Sequence, residues 1–155
     1  MGVGIIGAGM ISDFYLENLT RFPDTNVLAI ADIDRDRAKA AAEKWTVPTT
    51  GATEDLLADP DIEIVLNLTI PAAHASVSTA ALEAGKHVWS EKPITVDRES
   101  AQALVDLARE RGLPRIGPQR IRAGRSRADA AQLRHSTVSP RRLRDQRQRR
   151  DDHPP

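Results

Sequence analysis

The chain begins with a glycine-containing segment that strongly limits how it can fold. Positions 3–12 read VGIIGAGMIS, an apolar strand pattern followed by a tight glycine turn and an amphipathic helical pattern. Gly7 permits the turn, and Gly9 has no side chain, so backbone N–H groups can approach a bound anion. The following helix directs the positive end of its dipole at the same point. The segment therefore predicts a strand–loop–helix unit that grips the pyrophosphate of a dinucleotide, with Ser12 standing where the fingerprint has a third small residue.

A carboxylate follows the second apolar segment, where such a unit requires one. Residues 27–31 predict a second buried strand, and Asp32 comes directly after it. An acid at this distance from the glycines accepts hydrogen bonds from the ribose of a dinucleotide. Its charge favours NAD because it repels a 2′-phosphate, but Arg35 and Arg37 could pair with that phosphate, so NADP is also possible. The alternative is an ordinary glycine turn without a ligand, and the order of strand, loop, helix, strand and acid favours the nucleotide.

Strand and helix patterns continue to alternate over the first three quarters of the chain. This alternation predicts an α/β fold, a Rossmann-like doubly wound parallel sheet with helices on both faces. In the first predicted helix, apolar Ile11, Tyr15, Leu19 and Phe22 recur at helical spacing until Pro23 stops it. The predicted strands after the second are 47–49, 62–68, 87–89 and 115–117. The first three predicted helices are 10–21, 35–45 and 54–58. A fourth helix begins in the segment 69–74 and runs to 84, and a fifth is capped by Asp97 and ended by Gly112.

The last forty residues have a different composition. Residues 116–155 hold 11 of the 22 basic residues, all of them arginine, but only 4 of the 22 acidic ones. Five of these forty residues are Leu, Ile or Val, too few to bury a core. We therefore expect a dinucleotide-binding domain over 1–117 and a disordered, Arg/Pro-rich basic tail over 118–155. Because GC-rich codons specify arginine, proline and alanine, the tail is also expected to be the product of a shifted reading frame, with a genuine basic extension as the alternative.

Several classes of site are disfavoured by composition. The chain has no cysteine, so disulfides and thiolate metal sites are excluded, and its four histidines show no metal-ligand spacing. No segment approaches the roughly 18 continuous apolar residues of a membrane helix, and the apolar start lacks a basic flank and cleavage signal. The sequence thus predicts no metal, no membrane contact and a cytoplasmic location.

Three loops are predicted to meet at one edge of the sheet. In a doubly wound sheet, ligands bind beyond the carboxyl ends of the strands where the strand order reverses, between the first and fourth strands. The glycine loop (residues 7–9), the segment 69–74 and the segment 91–93 all follow strands at this edge. Lys92 and His74 are therefore candidate site residues. The alternatives are a solvated lysine and a histidine that caps a helix start.

Four motifs together resemble one family. GIIGAGMIS at 4–12, DPDI at 59–62, ALEAGKHV at 81–88 and EKP at 91–93 resemble the cofactor domain of the Gfo/Idh/MocA oxidoreductases. The resemblance covers about residues 1–117. It implies NAD- or NADP-linked oxidation or reduction of a secondary alcohol or carbonyl in a sugar, polyol or related compound. In that family the main acid–base residues come from a second domain, which no segment here resembles. This chain alone is therefore expected to have weak or no catalytic activity. Homo-oligomers are expected only when that second domain is present.

The resemblance also assigns individual residues. It implies that Lys92 lies where nicotinamide and substrate meet. An ammonium there would steer the substrate and stabilise charge developing on its oxygen, a catalytic role. Within the 69–74 segment, Ile70 stands where many members have proline. The matched cofactor-binding positions are Gly7, Gly9, Met10 and Ile11 at the pyrophosphate, Asp32 at the adenosine ribose, Thr69 and His74 beside the nicotinamide ribose, and Glu91, Lys92 and Pro93 in the EKP motif.

A second function of a different class is a non-enzymatic dinucleotide sensor whose basic tail contacts nucleic acid. The arginines could neutralise phosphates and give salt-dependent binding. All five aromatic residues precede the tail, however, so it offers no surface on which bases could stack. The composition therefore disfavours a nucleic-acid partner and favours a dinucleotide with a sugar- or polyol-like substrate.

Overall fold

The computed structural model describes residues 1–113, so the predicted sixth strand at 115–117 and the predicted tail lie outside the described residues. Strands and helices alternate along the described part. The strands are β1 (Gly2–Ile6), β2 (Asn26–Ala31), β3 (Thr49–Gly51), β4 (Ile64–Asn67) and β5 (His87–Ser90). The helices are α1 (Met10–Leu19), α2 (Arg35–Trp45), α3 (Thr53–Ala58), α4 (Pro71–Glu83) and α5 (Arg98–Glu110).

All strand pairs in the sheet are parallel, and the strand order is β3-β2-β1-β4-β5. The chain moves outward from β1 to β3 and then returns across the sheet to pair β4 with the other side of β1. The order therefore reverses between β1 and β4, as predicted. The loops after these two strands diverge to opposite faces and leave a crevice between them.

Each face of the sheet has its own hydrophobic core. Val3 and Ile5 of β1 pack with Leu16 of α1 on one face, in a cluster that includes residues of α2. On the other face, Val65 of β4 packs with residues of α3, α4 and α5, among them Leu104. Neighbouring strand residues supply opposite faces because side chains alternate along a strand. Helices on both faces confirm the doubly wound Rossmann-like fold.

Two helix starts are capped by carboxylates, that of α5 by Asp97, as predicted, and that of α2 by Asp34, which was not predicted. The Asp97 carboxylate accepts hydrogen bonds from the Ser100 N–H and hydroxyl, both at 2.7 Å, and these bonds lower the pKa of Asp97. Asp34 caps α2 by accepting from the N–H groups of Asp36 and Arg37, and its pKa is likewise lowered, chiefly by the Arg37 N–H. A carboxylate at an N-cap satisfies helix N–H groups that have no intrahelical partner.

One local prediction is wrong. The third strand is 49–51 and not 47–49, because Pro48 has no N–H for the ladder; Thr46 instead closes α2 in a left-handed conformation with φ of 56°. Of the four apolar residues at helical spacing in and after α1, Tyr15 and Leu19 pack against the core, whereas Ile11 and Phe22 are exposed.

The described residues were expected to form neither a membrane-spanning helix nor a metal site. Within residues 1–113, no helix is both long and apolar enough to cross a membrane. The same residues contain no group of three or more metal-ligating side chains placed to hold a metal ion.

Candidate functional site

A groove of about 550 Å³ lies at the carboxyl edge of the sheet, beside the β1/β4 crevice. Its walls come from the loops after β1, β2, β3 and β4. Predicted site residues Gly7, Gly9, Asp32 and Thr69 all line this groove. Residues that are far apart in sequence thus converge because parallel strands end at a common edge.

The two glycines of the loop after β1 have different reasons to be glycine. Gly7 has a φ of 106°, and a Cβ there would lie 2.6 Å from the carbonyl carbon and oxygen of Leu68. The fold itself therefore requires Gly7. At Gly9 a Cβ would meet nothing within 4 Å. The bare backbone at Gly9 instead leaves open space in front of the start of α1.

The start of α1 is tied to the glycine loop by Ser12, and its first side chains are exposed. The N–H and hydroxyl of Ser12 both donate to the Gly9 carbonyl, at 3.0 and 2.6 Å, and Ser12 is buried. The side chains of Met10 and Ile11 are exposed. These two residues are therefore suited to contribute their backbone N–H groups, which at a helix start have no intrahelical acceptor, rather than their side chains.

Asp32 joins the glycine loop to the end of β2. Its Oδ2 accepts from the Ala8 N–H at 2.7 Å, and its Oδ1 accepts from the Asp34 N–H at 2.8 Å. The guanidinium of Arg37 lies 3.7 Å from Oδ2, and the Asp32 side chain is only 5% exposed. Arg35 and Arg37 also line the groove. This end of the groove therefore combines one fixed carboxylate with two arginines.

The segment after β4 is organised by a buried asparagine that the sequence reasoning missed. Asn67 donates through Nδ2 to the His74 carbonyl and the Ser78 hydroxyl, both at 3.0 Å. Its Oδ1 accepts from the Thr69 hydroxyl at 2.6 Å. Ile70 precedes Pro71, which is the first residue of α4. The available signal was an amide at the end of an otherwise apolar strand.

His74 is buried and lies between two loops. Its Nε2 is 2.9 Å from the Thr69 carbonyl oxygen, and its Nδ1 is 2.5 Å from the Pro93 carbonyl oxygen. Both ring nitrogens are thus occupied by protein groups. His74 holds the 69–74 segment against residues 91–93 and does not itself line the groove.

The EKP loop (Glu91, Lys92 and Pro93) follows β5 beside the groove. The Glu91 Oε2 accepts from the Lys92 N–H at 3.2 Å, and its Oε1 accepts from the hydroxyl of Tyr15 in α1. The bond from Tyr15 is the main reason why the pKa of Glu91 is lowered. Lys92 is exposed, and among residues 1–113 its ammonium has no ion-pair partner. Lys92 lies on this loop and not in the wall of the 550 Å³ groove.

Tyr15 and Trp89 belong to the site region although the sequence analysis gave them no role there. The Trp89 indole N–H donates to the Tyr15 hydroxyl at 3.3 Å, and that hydroxyl donates to Glu91. Burial is the main cause of the raised pKa of Tyr15, and the bond to Glu91 adds to it. The helical spacing placed Tyr15 correctly near the sheet, but no short motif joins it to a residue 76 positions away.

Comparison with known proteins shows the family of this chain. The model of the oxidoreductase family with an NAD-binding Rossmann fold, GFO_IDH_MocA, matches residues 1–119. Inositol 2-dehydrogenase from Salmonella typhimurium is 35% identical over 112 residues, covering 70% of this chain and 33% of that protein.

Solved structures show the same similarity. KijD10, a 3-ketoreductase from Actinomadura kijaniata in complex with NADP and TDP-benzene, has 41% identity and a TM-score of 0.68, covering 73% of this chain and 35% of that one. GenD2 from gentamicin A biosynthesis, in complex with NAD, has 26% identity and a TM-score of 0.72, covering 76% and 33%.

The fold and the match define an NAD-binding Rossmann domain of an oxidoreductase. The chain belongs to the Gfo/Idh/MocA family, as its sequence motifs predicted. It spans about a third of the length of these relatives.

Proposed function

We propose that this chain binds NAD, and NADP more weakly, as the cofactor half of an enzyme that transfers hydride to or from a secondary alcohol or carbonyl of a sugar or polyol. The observation that carries the proposal is the groove at the strand-order reversal, which has open space at Gly9 and a fixed carboxylate at Asp32. The names of the relatives, an inositol dehydrogenase and a 3-ketoreductase, support the substrate class.

The residues present fit a dinucleotide. The N–H groups at the start of α1 would receive the pyrophosphate, because Gly9 leaves the approach clear. Asp32 would accept from the adenosine ribose, since each of its oxygens has a further lone pair beyond the backbone bonds. Thr69 and the 69–74 segment would lie along the second ribose. The dinucleotide, when bound, supplies the carbon centre that gives or takes the hydride.

Lys92 is proposed as the catalytic residue of this half. Addition of hydride to a carbonyl carbon places negative charge on its oxygen, and the reverse oxidation passes through the same alkoxide after the hydroxyl proton has left. An ammonium in hydrogen-bond reach would stabilise that negative charge. The support is that Lys92 is exposed and unpaired by acids within residues 1–113, whereas its neighbours on both sides are tethered, Glu91 to Tyr15 and Pro93 to His74. In isolation this chain is expected to be a weak catalyst, because orientation of a substrate can supply roughly 7–11 kcal/mol of barrier reduction and the relatives are about three times as long.

Cofactor preference tests the ribose assignment. Calorimetric titration of the 155-residue chain is expected to show tighter binding of NAD than of NADP, because Asp32 repels a 2′-phosphate. Asp32→Ala should narrow this difference by about tenfold. Lys39→Ala, in the neighbouring helix α2 and outside the groove, should leave it unchanged. An NADP preference that Asp32→Ala does not alter would refute the assignment.

The role of Lys92 requires a complete catalyst. A chimaera that joins residues 1–117 to the second domain of the inositol dehydrogenase provides one. Lys92→Ala is expected to lower kcat by about a hundredfold or more while changing the cofactor Kd by less than about threefold. Small and equal effects on both constants would make Lys92 a solvated surface lysine.

We also propose that the dinucleotide-binding domain ends near residue 117 and that the chain beyond about residue 113, its predicted sixth strand included, is translated out of the original frame. The support is compositional: all 11 basic residues after position 115 are arginine. Resequencing of the locus is expected to find a one- or two-base correction near codon 114 that opens a long frame encoding a second α+β domain. An unchanged sequence with no such domain in the other frames would make the tail a genuine extension.

A further inference from the structure

Three side chains form a directed chain of hydrogen bonds between helix α1 and the EKP loop. The Trp89 indole N–H can only donate, and it donates to the Tyr15 oxygen at 3.3 Å. The Tyr15 hydroxyl must therefore direct its own proton elsewhere, and it directs it to Glu91 Oε1. Glu91 Oε2 receives the Lys92 N–H. Both oxygens of Glu91 therefore accept hydrogen bonds, and this arrangement favours the ionised carboxylate, which acts only as an acceptor.

The network crosses between two parts of the proposed cofactor site. Tyr15 lies in α1, and the start of this helix faces the groove. Glu91 directly precedes Lys92. The other end of the loop is held separately, through the Pro93 carbonyl and His74. Lys92 is thus the middle residue of a loop that is fixed on both sides. The contact of Pro93 with His74 leads to α4, whereas the contact of Glu91 with Tyr15 connects the loop to α1.

We propose that Tyr15 is a positioning residue that sets Lys92 against the nicotinamide half of the bound dinucleotide, by clamping Glu91 to the helix that grips the pyrophosphate. This inference rests on the proposed function. It assigns Tyr15 no contact with the reacting atoms. The bond between Tyr15 and Glu91 fixes the distance between the start of α1 and the EKP loop. A dinucleotide held at the start of α1 by its pyrophosphate then presents its nicotinamide end to Lys92. Binding of the adenosine half does not depend on the clamp.

The chain allows a selective experiment because Tyr15 is its only tyrosine. Tyr15→Phe removes the hydroxyl and keeps the ring. The 155-residue chain is titrated calorimetrically with NAD and with ADP, which lacks the nicotinamide riboside. Tyr15→Phe is expected to weaken NAD binding by about tenfold, the order expected for a hydrogen bond to a charged group, and ADP binding by less than about twofold.

A matched control is available in the same helix region. Thr20→Val also removes one hydroxyl, which donates to the Leu16 carbonyl at 2.7 Å, but at the far end of α1 from the groove. It should leave both affinities unchanged. Glu91→Gln is expected to reproduce the NAD-specific loss. The double variant Tyr15→Phe/Glu91→Gln should bind NAD no more weakly than the weaker single variant, because both changes remove the same charge-assisted bond between Tyr15 and Glu91.

A second measurement needs no cofactor. Absorbance titration of the single tyrosine should give a pKa above its usual value, and Glu91→Gln should lower that pKa because a negative neighbour is removed. An unchanged tyrosine pKa in Glu91→Gln, or equal weakening of NAD and ADP by Tyr15→Phe, would overturn the clamp. Failure of the unaltered chain to bind ADP would instead overturn the proposed function and the clamp with it.

Discussion

The two ends of the site are built in different ways. At the glycine-loop end, the decisive contacts involve the backbone: the Gly7 N–H donates to the Ala31 carbonyl at 2.8 Å, and the Ala8 N–H donates to Asp32. At the EKP end, side chains from separate elements hold the loop, Tyr15 from α1 and His74 from α4. Backbone geometry is dictated by short motifs, whereas side-chain tethers depend on tertiary packing. The first end is thus specified by a glycine motif and an acid at a typical distance from it, and the second by side-chain contacts that no spacing rule relates.

Substitution of Gly7 is expected to have the largest effect on the fold. Gly7→Ala places a methyl group 2.6 Å from backbone atoms of Leu68 in a residue with φ of 106°. Strain of this kind and overpacking together cost about 3 kcal/mol or more. Urea unfolding of the variant should show this loss in the free energy of unfolding. A loss below about 1 kcal/mol would show that the glycine-loop end is not fixed by its backbone.

Substitution of His74 tests the EKP end in the same experiment. His74→Ala removes a buried ring and leaves the Thr69 and Pro93 carbonyls without this partner, which should cost about 2–3 kcal/mol. His87→Ala is the matched control, because His87 is half-buried and its Nδ1 has no hydrogen-bond partner within residues 1–113. His87→Ala should lower the free energy of unfolding clearly less than His74→Ala does. Equal losses would mean that the His74 contacts do not hold the two loops together.

This difference also explains what the sequence could predict. Gly7, Gly9 and Asp32 follow from the spacing of glycines and an acid around two strands, so their convergence was predictable. The alternation of patterns likewise gave the doubly wound sheet. The Tyr15–Glu91 contact was not predictable from spacing, because no local rule relates a helix residue to a loop 76 positions later. Helical spacing in α1 likewise does not distinguish the buried Leu16 from the exposed Ile11.

The smallest expected effect is a pH dependence at the EKP end. The pKa of Glu91 is lowered, chiefly by the Tyr15 hydroxyl, so the folded state binds this proton less tightly than the unfolded chain. The contribution of Glu91 to stability is therefore present above the usual glutamate pKa and lost as the pH falls through the lowered one. At neutral pH, Glu91→Gln should destabilise the fold by about 1 kcal/mol or less, since the group is partly solvated.

The measurement is the difference in unfolding free energy between the unaltered chain and Glu91→Gln across acidic to neutral pH. This difference should shrink as the pH falls. A constant difference over that range would contradict the interaction between Tyr15 and an ionised Glu91.

We expect the open space at Gly9 to serve a dinucleotide and not the fold, and one variant tests this directly. Gly9→Val adds a side chain where a Cβ meets no protein atom within 4 Å, so the free energy of unfolding should stay within about 0.5 kcal/mol of the unaltered value. The same variant should lose NAD binding by about a hundredfold or more in calorimetric titration, because the side chain occupies the approach to the helix start. Stable Gly9→Val protein that binds NAD as tightly as the unaltered chain would contradict the account.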